Sequence, residues 1–437
     1  MKRLLPALFL SAACGAGLVD HGGVDLQTVG QLQCTLPQKD CGGRACVNLE
    51  RDVNNCGACG FVCATPQHAA SKCEASTCGF TCNPGFFQCA SQGCCPASAL
   101  AAGGDTTCAV VNGTVQCWGS NSSGQLGVDP GPAPFSAVPV AVPGVGAASS
   151  VAVGLNHVCA IRAGTGEVVC WGSNLSLQLG AAGTGVVVVP GISGAQLLAL
   201  GDKHSCAVTM TGISCWGANE LGQLGRAVPS PAGPGPVTNL TGASSISAGS
   251  AFTCAVTSSA LNCWGDGSLG QFGDGAALAS NTPVSVGVSA PVIVATGAAH
   301  ACSIGSAFLC WGSDTFGQVG DGKQSIDPSK VSGPGVVPSA STVAAGREHT
   351  CAVSGAGAAY CWGSNVSGQL GIGLPVAVET KPVAVSGLPT AVQRLALGAT
   401  HTCAQTADGA VYCWGNNGSG QAGALVGGTL LAPRPID

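Results

Sequence analysis

The chain has 437 residues, of which only 8% are charged, against roughly 25% in an ordinary soluble protein, and its formal net charge is −5. Its 15 lysine and arginine residues form no basic patch, which argues against nucleic-acid binding because phosphate neutralisation requires clustered cations. Hydrophobic residues make up 46% of the chain, which is enough for a sizeable core and argues against disorder.

The N-terminus has the features of an export signal. A basic stretch, Met1 to Arg3, precedes an apolar run from Leu4 to Leu10, and small residues follow. The apolar run is too short to span a bilayer. We therefore predict a signal peptide over residues 1–13 and export of the mature chain.

Cys14 follows these small residues and resembles the lipidated first residue of a bacterial lipoprotein. Ser11 departs from that signal, because an apolar residue usually stands three positions before the cysteine. We expect lipidation at Cys14, a lipid-anchored flexible tether over residues 14–33, and a location at the outer membrane or cell surface. An ordinary secretory signal, and hence a secreted protein, is the alternative.

The next segment, residues 34–96, is dense in cysteine. So short a segment has little hydrophobic core, and its composition predicts a small loop-rich module held by disulfides of unknown connectivity. A zinc site seeded by Cys56 and Cys59 is the alternative, but no second Cys-x-x-Cys pair is present. The twelve cysteines are Cys34, Cys41, Cys46, Cys56, Cys59, Cys63, Cys73, Cys78, Cys82, Cys89, Cys94 and Cys95.

A repeat with a period near 50 residues occupies the rest of the chain. Every tryptophan lies in the tripeptide Cys-Trp-Gly, with a Gly-Gln-x-Gly motif shortly after it in six of the seven repeats and Gly-x-x-His-x-Cys before it in five. Short apolar runs cut by Gly, Pro and Asn, at this period, predict a propeller or a solenoid. The repeat tryptophans are Trp118, Trp171, Trp216, Trp264, Trp311, Trp362 and Trp414.

Each repeat also contains a pair of cysteines in a predicted hairpin. In the first, a turn at Asn112-Gly113 pairs Cys108 with Cys117 in a close, non-hydrogen-bonded position where a cross-strand disulfide is feasible. We predict one such disulfide in every repeat. The pairs are Cys108 and Cys117, Cys159 and Cys170, Cys206 and Cys215, Cys254 and Cys263, Cys302 and Cys310, Cys351 and Cys361, and Cys403 and Cys413.

The string from Cys361 to Gly371, Cys-Trp-Gly-Ser-Asn-Val-Ser-Gly-Gln-Leu-Gly, resembles the repeat of the regulator of chromosome condensation family. The resemblance implies an all-β fold with a seven-bladed β-propeller over residues 97–437. The last apolar segment, Ala432 to Ile436, looks like a spare copy of one that precedes every internal repeat. We therefore expect it to complete the first blade and close the ring.

The sequence offers no catalytic constellation, phosphate loop or metal-ligand set, so we expect neither an enzyme nor a cofactor. The recurrent histidine is replaced by Thr106 and Phe252 in two repeats, which argues against shared chemistry there. The resemblance implies that these histidines satisfy backbone groups and that the tryptophans pack between blades. A tryptophan platform that stacks bases or sugars is the alternative.

The founding member of the family is a guanine-nucleotide exchange factor, but export, abundant cysteines and the lack of a basic tail argue against exchange activity here. We expect a monomeric, non-catalytic propeller that binds a protein ligand on one face at the cell envelope, with no nucleic acid. The alternatives are a secreted enzyme inhibitor of the β-lactamase-inhibitor type and a carbohydrate-binding or carbohydrate-active protein.

Overall fold

The computed structural model describes residues 34–42, 46–89, 93–129, 131, 134–258, 260–325, 333, 335–423 and 427–436. The predicted signal peptide, Cys14 and the tether lie outside the described residues. Within those ranges the chain forms strands and turns and no helix, and hence no helix that could cross a membrane.

The N-terminal region contains six short strands that pair in antiparallel twos, β1 with β2, β3 with β4 and β5 with β6. Six disulfides connect this disulfide-rich region. The strands are β1 (Gln38–Asp40), β2 (Cys46–Asn48), β3 (Ala69–Glu74), β4 (Thr77–Cys82), β5 (Phe87–Cys89) and β6 (Gly93–Cys95).

Seven antiparallel sheets follow, each built from strands that are consecutive in the chain. Blades 1 to 3 consist of β7 (Ala99–Gly103), β8 (Thr106–Val111), β9 (Thr114–Ser120) and β10 (Phe135–Ala141); β11 (Ala148–Val153), β12 (His157–Arg162), β13 (Val168–Gly172) and β14 (Val187–Val188); and β15 (Ala195–Leu200), β16 (His204–Thr209), β17 (Gly212–Gly217) and β18 (Ala232–Pro236). Blades 4 and 5 consist of β19 (Ser245–Ala248), β20 (Phe252–Val256), β21 (Leu261–Gly265) and β22 (Ser280–Val286); and β23 (Ile293–Thr296), β24 (His300–Ile304) and β25 (Phe308–Gly312). Blades 6 and 7 consist of β26 (Thr342–Ala345), β27 (His349–Val353), β28 (Ala359–Ser364) and β29 (Val378–Ala384); and β30 (Val392–Leu397), β31 (His401–Thr406), β32 (Val411–Asn416) and β33 (Thr429–Pro435).

The first strand of each blade lines a central cavity, and the later strands lie successively farther from it. The predicted all-β, seven-bladed propeller with a disulfide-rich region before it is confirmed. Blade 5 has three strands among the described residues, and the other six blades have four.

The hairpin of the second and third strands is the most regular part of each blade. Its two cysteines stand directly opposite one another, with Cα atoms 4.0–4.1 Å apart, as in the close pairs of an antiparallel ladder. The disulfides join Cys108–Cys117, Cys159–Cys170, Cys206–Cys215, Cys254–Cys263, Cys302–Cys310, Cys351–Cys361 and Cys403–Cys413. Because the strand register is the same in every blade, equivalent residues recur at equivalent heights around the ring.

The expectation that the last strand completes the first blade is wrong. Strand β33 pairs with β32, with Tyr412 opposite Pro435, and thus belongs to blade 7. Blade 1 has its own outer strand, β10, in which Phe135 stands opposite Ser120. In the six blades whose outer strand is described, the segment after the Gly-Gln-x-Gly turn, or after its equivalent in blade 2, folds back as the outer strand of the same blade.

Side-chain and loop contacts between blades 7 and 1 therefore close the ring without strand exchange. The amide of Ala399 donates to the carbonyl of Gly104, and the side-chain amide of Gln421 donates to Asp105. Trp118 is buried at this seam in one cluster with Ile436 and Phe87. A side chain from the N-terminal cysteine-rich segment is thus part of the seam's core.

The described residues divide into two compact units, one within residues 34–64 and 71–79 and the other within residues 65–70 and 80–436. The unit that holds the propeller thus also includes described residues before Ala97. Two contacts account for this: the amide of Gly85 donates to Ile436, and the amide of Val411 donates to Gly85. Four disulfides lie within the first unit, and Cys82–Cys94 and Cys89–Cys95 lie within the second.

Removal of the Phe87 ring tests the role of this segment in closure. Phe87 is 3% exposed and its ring centroid lies 5.9 Å from that of Trp118. We expect Phe87→Ala to lower the free energy of unfolding by about 3 kcal/mol, as for buried phenylalanines generally, and to speed hydrogen exchange in β7 and β30. Urea unfolding and hydrogen exchange of the oxidised protein measure both effects.

The matched control is Phe61→Ala, since Phe61 is 58% exposed and lies in the other unit. We expect it to leave propeller stability unchanged. Equal effects of the two substitutions would contradict a specific role for Phe87 at the seam.

Candidate functional site

The strand order gives the propeller two different faces. One, which we call the Gln-loop face, carries the turns between first and second strands and the loops between third and outer strands, including the Gly-Gln-x-Gly motifs. The other, the hairpin face, carries the turns between second and third strands and the connections between blades. All the repeated motifs outside the strands therefore lie on the Gln-loop face.

Five histidines begin the second strands of their blades and bridge neighbouring blades. The Nε2 atom of His300 lies 2.8 Å from the hydroxyl oxygen of Thr350 in the next blade, and the other four make the same contact at the same distance. The pairs are His157 with Ser205, His204 with Thr253, His300 with Thr350, His349 with Thr402, and His401 with Thr107. The expectation that these rings satisfy backbone groups is wrong, since Nε2 binds a side-chain hydroxyl.

The hydroxyl group fixes the protonation of each ring. Thr350 donates its single hydrogen to the carbonyl of Gln318, at 2.9 Å, so His300 must donate from Nε2. The remaining nitrogen, Nδ1, is buried in all five rings without a hydrogen-bond partner among the described residues. Each bridge therefore runs from histidine to hydroxyl to carbonyl, and the buried Nδ1, which has no acceptor for a second proton, favours the neutral imidazole.

The two repeats without the histidine have also lost the hydroxyl that it would bind. Phe252 replaces the histidine in blade 4, and Ala301 stands at the facing position in blade 5. Thr106 replaces it in blade 1, and Val158 stands at the facing position in blade 2. Each bridge is thus present with both partners or absent with both, as expected for a structural contact between blades.

Burial sets the titration of these rings. It lowers the pKa of His204 to about 4 and the pKa values of His157, His300, His349 and His401 to about 3. All five are fully buried, with no exposed side-chain area. They are therefore neutral at physiological pH and do not face solvent, which a catalytic acid or base would require.

The tryptophans form a second set of contacts between blades. The indole Nε1 of Trp362 donates to the carbonyl of Gln318 in the preceding blade at 2.9 Å, and five others make the same bond to their own glutamine carbonyls. All seven rings are 0% exposed, so none is available as a platform for stacking bases or sugars. Trp118 alone leaves its Nε1 without a partner among the described residues, at the seam with blade 7.

The glycine that ends the Gly-Gln-x-Gly motif is required by this packing. A Cβ atom on Gly320 would lie 2.5 Å from Nε1 of Trp362, and the backbone there has φ +83°. Both the close approach and the left-handed conformation exclude other residues without a shift of the ring. The motif is therefore structural.

The central cavity has a volume of about 390 Å³ and is lined by the first strands of all seven blades. Its mouth on the Gln-loop face is crossed by an ion pair, with Nη1 of Arg347 in blade 6 3.7 Å from Oδ2 of Asp202 in blade 3. Because these blades lie on opposite sides of the ring, the pair spans the opening. Among the described residues the lining brings together no set of catalytic side chains.

The N-terminal cysteines are fully oxidised in this structure. Cys56 and Cys59, the predicted alternative zinc ligands, form disulfides with Cys73 and Cys41. The sulfur atoms of Cys56, Cys63 and Cys78 cluster within 4.8 Å, but each belongs to a disulfide and none is a thiolate. The described residues thus contain no free thiol for metal binding.

Comparison with protein families identifies the repeats. Residues 112–161, 308–353 and 356–405 match the model of the Regulator of chromosome condensation (RCC1) repeat. A second model of the same repeat matches residues 148–178, 340–369 and 392–421. The chain therefore contains RCC1 repeats, and they form a seven-bladed propeller.

Curated relatives match over short segments. The probable E3 ubiquitin-protein ligase HERC4 of Rattus norvegicus is 38% identical over 84 residues, and the X-linked retinitis pigmentosa GTPase regulator of Mus musculus is 43% identical over 79 residues. Each match covers 18% of this chain and 8% of the relative. The chain thus spans less than a tenth of the length of these relatives.

Solved structures resemble the chain over most of its length. Yeast RCC1 (Prp20), solved bound to Kap60, matches with a TM-score of 0.67 and 22% identity over 74% of this chain and 83% of its own. Human WBSCR16 matches with a TM-score of 0.67 and 21% identity over 74% of this chain and 94% of its own. At these identities the likeness shows the fold.

The coupling across one bridge can be measured by a double-mutant cycle. We expect Thr350→Ala to cost about 1–3 kcal/mol of unfolding free energy, because it leaves Nε2 of His300 buried without a partner. The double variant His300→Phe/Thr350→Ala reproduces the apolar pair found at Phe252 and Ala301, so it should be less destabilised than the sum of the single variants. Urea unfolding gives all four values.

Thr350→Ser is the control, since Ser205 fills the equivalent position in the bridge from His157. It should retain stability close to that of the parent. Additive losses in the cycle would show that the contact between His300 and Thr350 carries no coupling energy.

The buried histidines predict sensitivity to acid. Their pKa values in the folded protein lie below the ordinary 6.5, so the unfolded chain binds more protons as the pH falls from 6.5 towards 4. The free energy of unfolding should therefore fall with pH, by up to about 1.4 kcal/mol per pH unit for each histidine. Asp314 acts in the opposite direction, because burial raises its pKa to about 6 and the folded state then binds the extra proton.

Urea unfolding between about pH 7 and pH 4.5 measures this slope. The double variant His300→Phe/Thr350→Ala has one buried histidine fewer, so its slope should be smaller by about one proton. A parent protein with constant stability over this range would contradict the assignment of five neutral histidines.

Proposed function

We propose that this RCC1-repeat propeller is a non-catalytic protein-binding platform of the cell envelope, exported and held at the membrane surface by a lipid on Cys14. The observation that carries the proposal is the contrast between blades that are joined by buried side-chain contacts and loops that are exposed to solvent. Bridges from histidine and tryptophan side chains fix each blade to the next, while the loops of the Gln-loop face remain open to solvent. Rigid scaffolds that present loops in this way are suited to binding.

Catalysis lacks support in the chain's polar side chains. The repeated histidines are buried and neutral, and each is bound to a neighbouring blade. The charged pair at the mouth of the cavity, Arg347 with Asp202, neutralises itself and leaves no poised acid or base. Binding by the exposed loops is the function that the geometry supports best.

Named relatives favour a protein ligand. The yeast RCC1 structure is a complex with Kap60, and a second structure of Prp20p from Saccharomyces cerevisiae was described with its binding properties to Gsp1p and histones. These partners are those of the yeast protein. What we carry over to this chain is the class of ligand, a protein held by the propeller.

The disulfides support an oxidising location. All thirteen disulfides join cysteines of the described residues, and none of those cysteines is left as a thiol. Thirteen disulfides would not persist in a reducing cytosol. Export and lipidation at Cys14 are parts of the same proposal.

Photo-cross-linking in the producing cell tests the platform function. A photoreactive amino acid is placed at Leu175 on the Gln-loop face and, in a separate variant, at Met210 on the hairpin face; these side chains are 95% and 84% exposed. We expect at least one position to give a discrete protein adduct that unlabelled full-length protein competes away. Adducts only with glycans, or no adduct at either position, would overturn the platform function.

A further inference from the structure

We propose that the Gln-loop face binds a protein surface that combines cationic with apolar side chains. This inference rests on the proposed platform function and adds the face and the chemistry of the partner. It is carried by an arc of exposed apolar side chains on the Gln-loop face and by the acidic groups around that arc.

The apolar arc occupies two adjacent positions of the repeat. In blades 2 to 6, the two residues before each Gly-Gln-x-Gly motif, or before its equivalent in blade 2, include a large apolar side chain. Four of these side chains are exposed and Phe316 is half-buried. The exposed members are Leu175 at 95%, Leu221 at 42%, Leu269 at 51% and Val366 at 68%. Blades 1 and 7 carry only serine and glycine at these two positions, so the arc spans five consecutive blades.

A hydrogen bond to a glutamine side chain holds the turn that presents each arc residue. The side-chain carbonyl of Gln223 accepts from the amide of Leu221, and Gln271 accepts from Leu269 in the same way. These turns therefore hold the apolar side chains at the surface, where Leu221 and Leu269 remain 42% and 51% exposed. Apolar side chains at equivalent turns of five consecutive blades, four of them exposed, are more informative about an interaction site than a single exposed one.

The same face carries most of the charge of the propeller loops. Its described loops contain nine acidic and four basic residues, whereas the described turns and connections of the hairpin face contain only Glu167 and Asp408. The acidic residues are Asp105, Asp129, Asp202, Glu220, Asp266, Asp274, Asp314, Asp321 and Glu348, and the basic ones are Lys203, Arg226, Lys323 and Arg347. The face therefore presents a negative field around an apolar arc.

Three of the four cations are already engaged, since Lys323 pairs with Asp321 at 3.8 Å and both arginines have partners of their own. Arg226 donates to the backbone carbonyls of Cys215, Gly233 and Gly235, and Arg347 pairs with Asp202. The carboxylates of Asp129 and Asp274 are exposed and accept only local backbone amides. The charge that a partner meets on this face is thus acidic.

The opposite face is a weaker candidate. The segment around Gly85 and Pro96 packs against the β31–β32 turn of blade 7, which lies on the hairpin face, and so covers part of that face. Its exposed apolar residues Met210, in a turn between second and third strands, and Val292, in a connection between blades, do not share a position in the repeat. A cationic and apolar protein surface complements the Gln-loop face in both properties, while an anionic membrane would be repelled by it.

The test uses the oxidised full-length protein and two synthetic probes: a short amphipathic peptide of lysine and leucine, and its counterpart with glutamate in place of lysine. Binding is measured by fluorescence anisotropy at about 0.15 M salt, where exposed charges more than a Debye length apart are screened. We expect the lysine peptide to bind, the glutamate peptide to fail, and added salt to weaken the complex.

Variants locate the binding site. The triple variant Leu175→Ser/Leu269→Ser/Val366→Ser should weaken the lysine peptide at least about tenfold, as for loss of a central apolar contact. Met210→Ser on the hairpin face is the matched control and should bind as the parent does. For charge, Glu220→Gln/Asp274→Asn keeps the local hydrogen-bond acceptors and should weaken binding, whereas Glu167→Gln on the hairpin face should not.

Three results would overturn the inference: no binding of the lysine peptide, equal binding of both peptides, or equal losses for the triple variant and Met210→Ser. Association with vesicles of anionic lipid that is lost in the triple variant Leu175→Ser/Leu269→Ser/Val366→Ser would also overturn it, since the face itself would then bind a membrane. The platform function fails separately, in the photo-cross-linking experiment. A protein adduct formed only through position 210 would preserve the platform function and exclude this face.

Discussion

The contact between neighbouring blades is the interaction on which the rest of this structure depends. At each blade boundary except the seam, an indole donates to a glutamine carbonyl, as Trp362 does to Gln318, and a glycine such as Gly320 leaves room for the ring. The same carbonyl also accepts from the hydroxyl of Thr350, which in turn binds His300 of the preceding blade. One backbone oxygen thus joins the apolar packing and the polar bridge, and this explains why the motifs recur together.

The two residues of each bridge are either both present or both replaced. Phe252 faces Ala301 where other blades place histidine against a hydroxyl, so the boundary between blades 4 and 5 is filled by apolar volume instead of a hydrogen bond. A lone substitution would leave a buried imidazole or hydroxyl unsatisfied, which costs more than the bond itself contributes. The repeat therefore tolerates change at this position only when both sides of the boundary change.

Much of the fold can be predicted from the sequence because the motifs of one blade recur seven times. Asn112-Gly113 fixes one hairpin, and that register places Cys108 opposite Cys117 as the structure has it. The sequence does not predict where one blade ends and the next begins. In a series of similar repeats, a terminal segment could belong to the first blade or to the last. The partner of each histidine was also hidden, because Thr350 lies 50 residues from His300 and only the ring brings them together.

The seam shows what a closed ring without strand exchange requires. Trp118 cannot repeat the indole bond of the other blades, and the space beside it is filled by Phe87 from outside the repeats. Residues 80–96 thereby become part of the propeller unit, which composition alone could not reveal because the cysteines mark them as part of the disulfide region. Closure uses the hairpin face at blade 7, and the Gln-loop face is left as the side that carries the apolar arc and the exposed carboxylates of Asp129 and Asp274. In a chain with so few charges, their concentration on that uncovered side is the feature that fold stability does not explain.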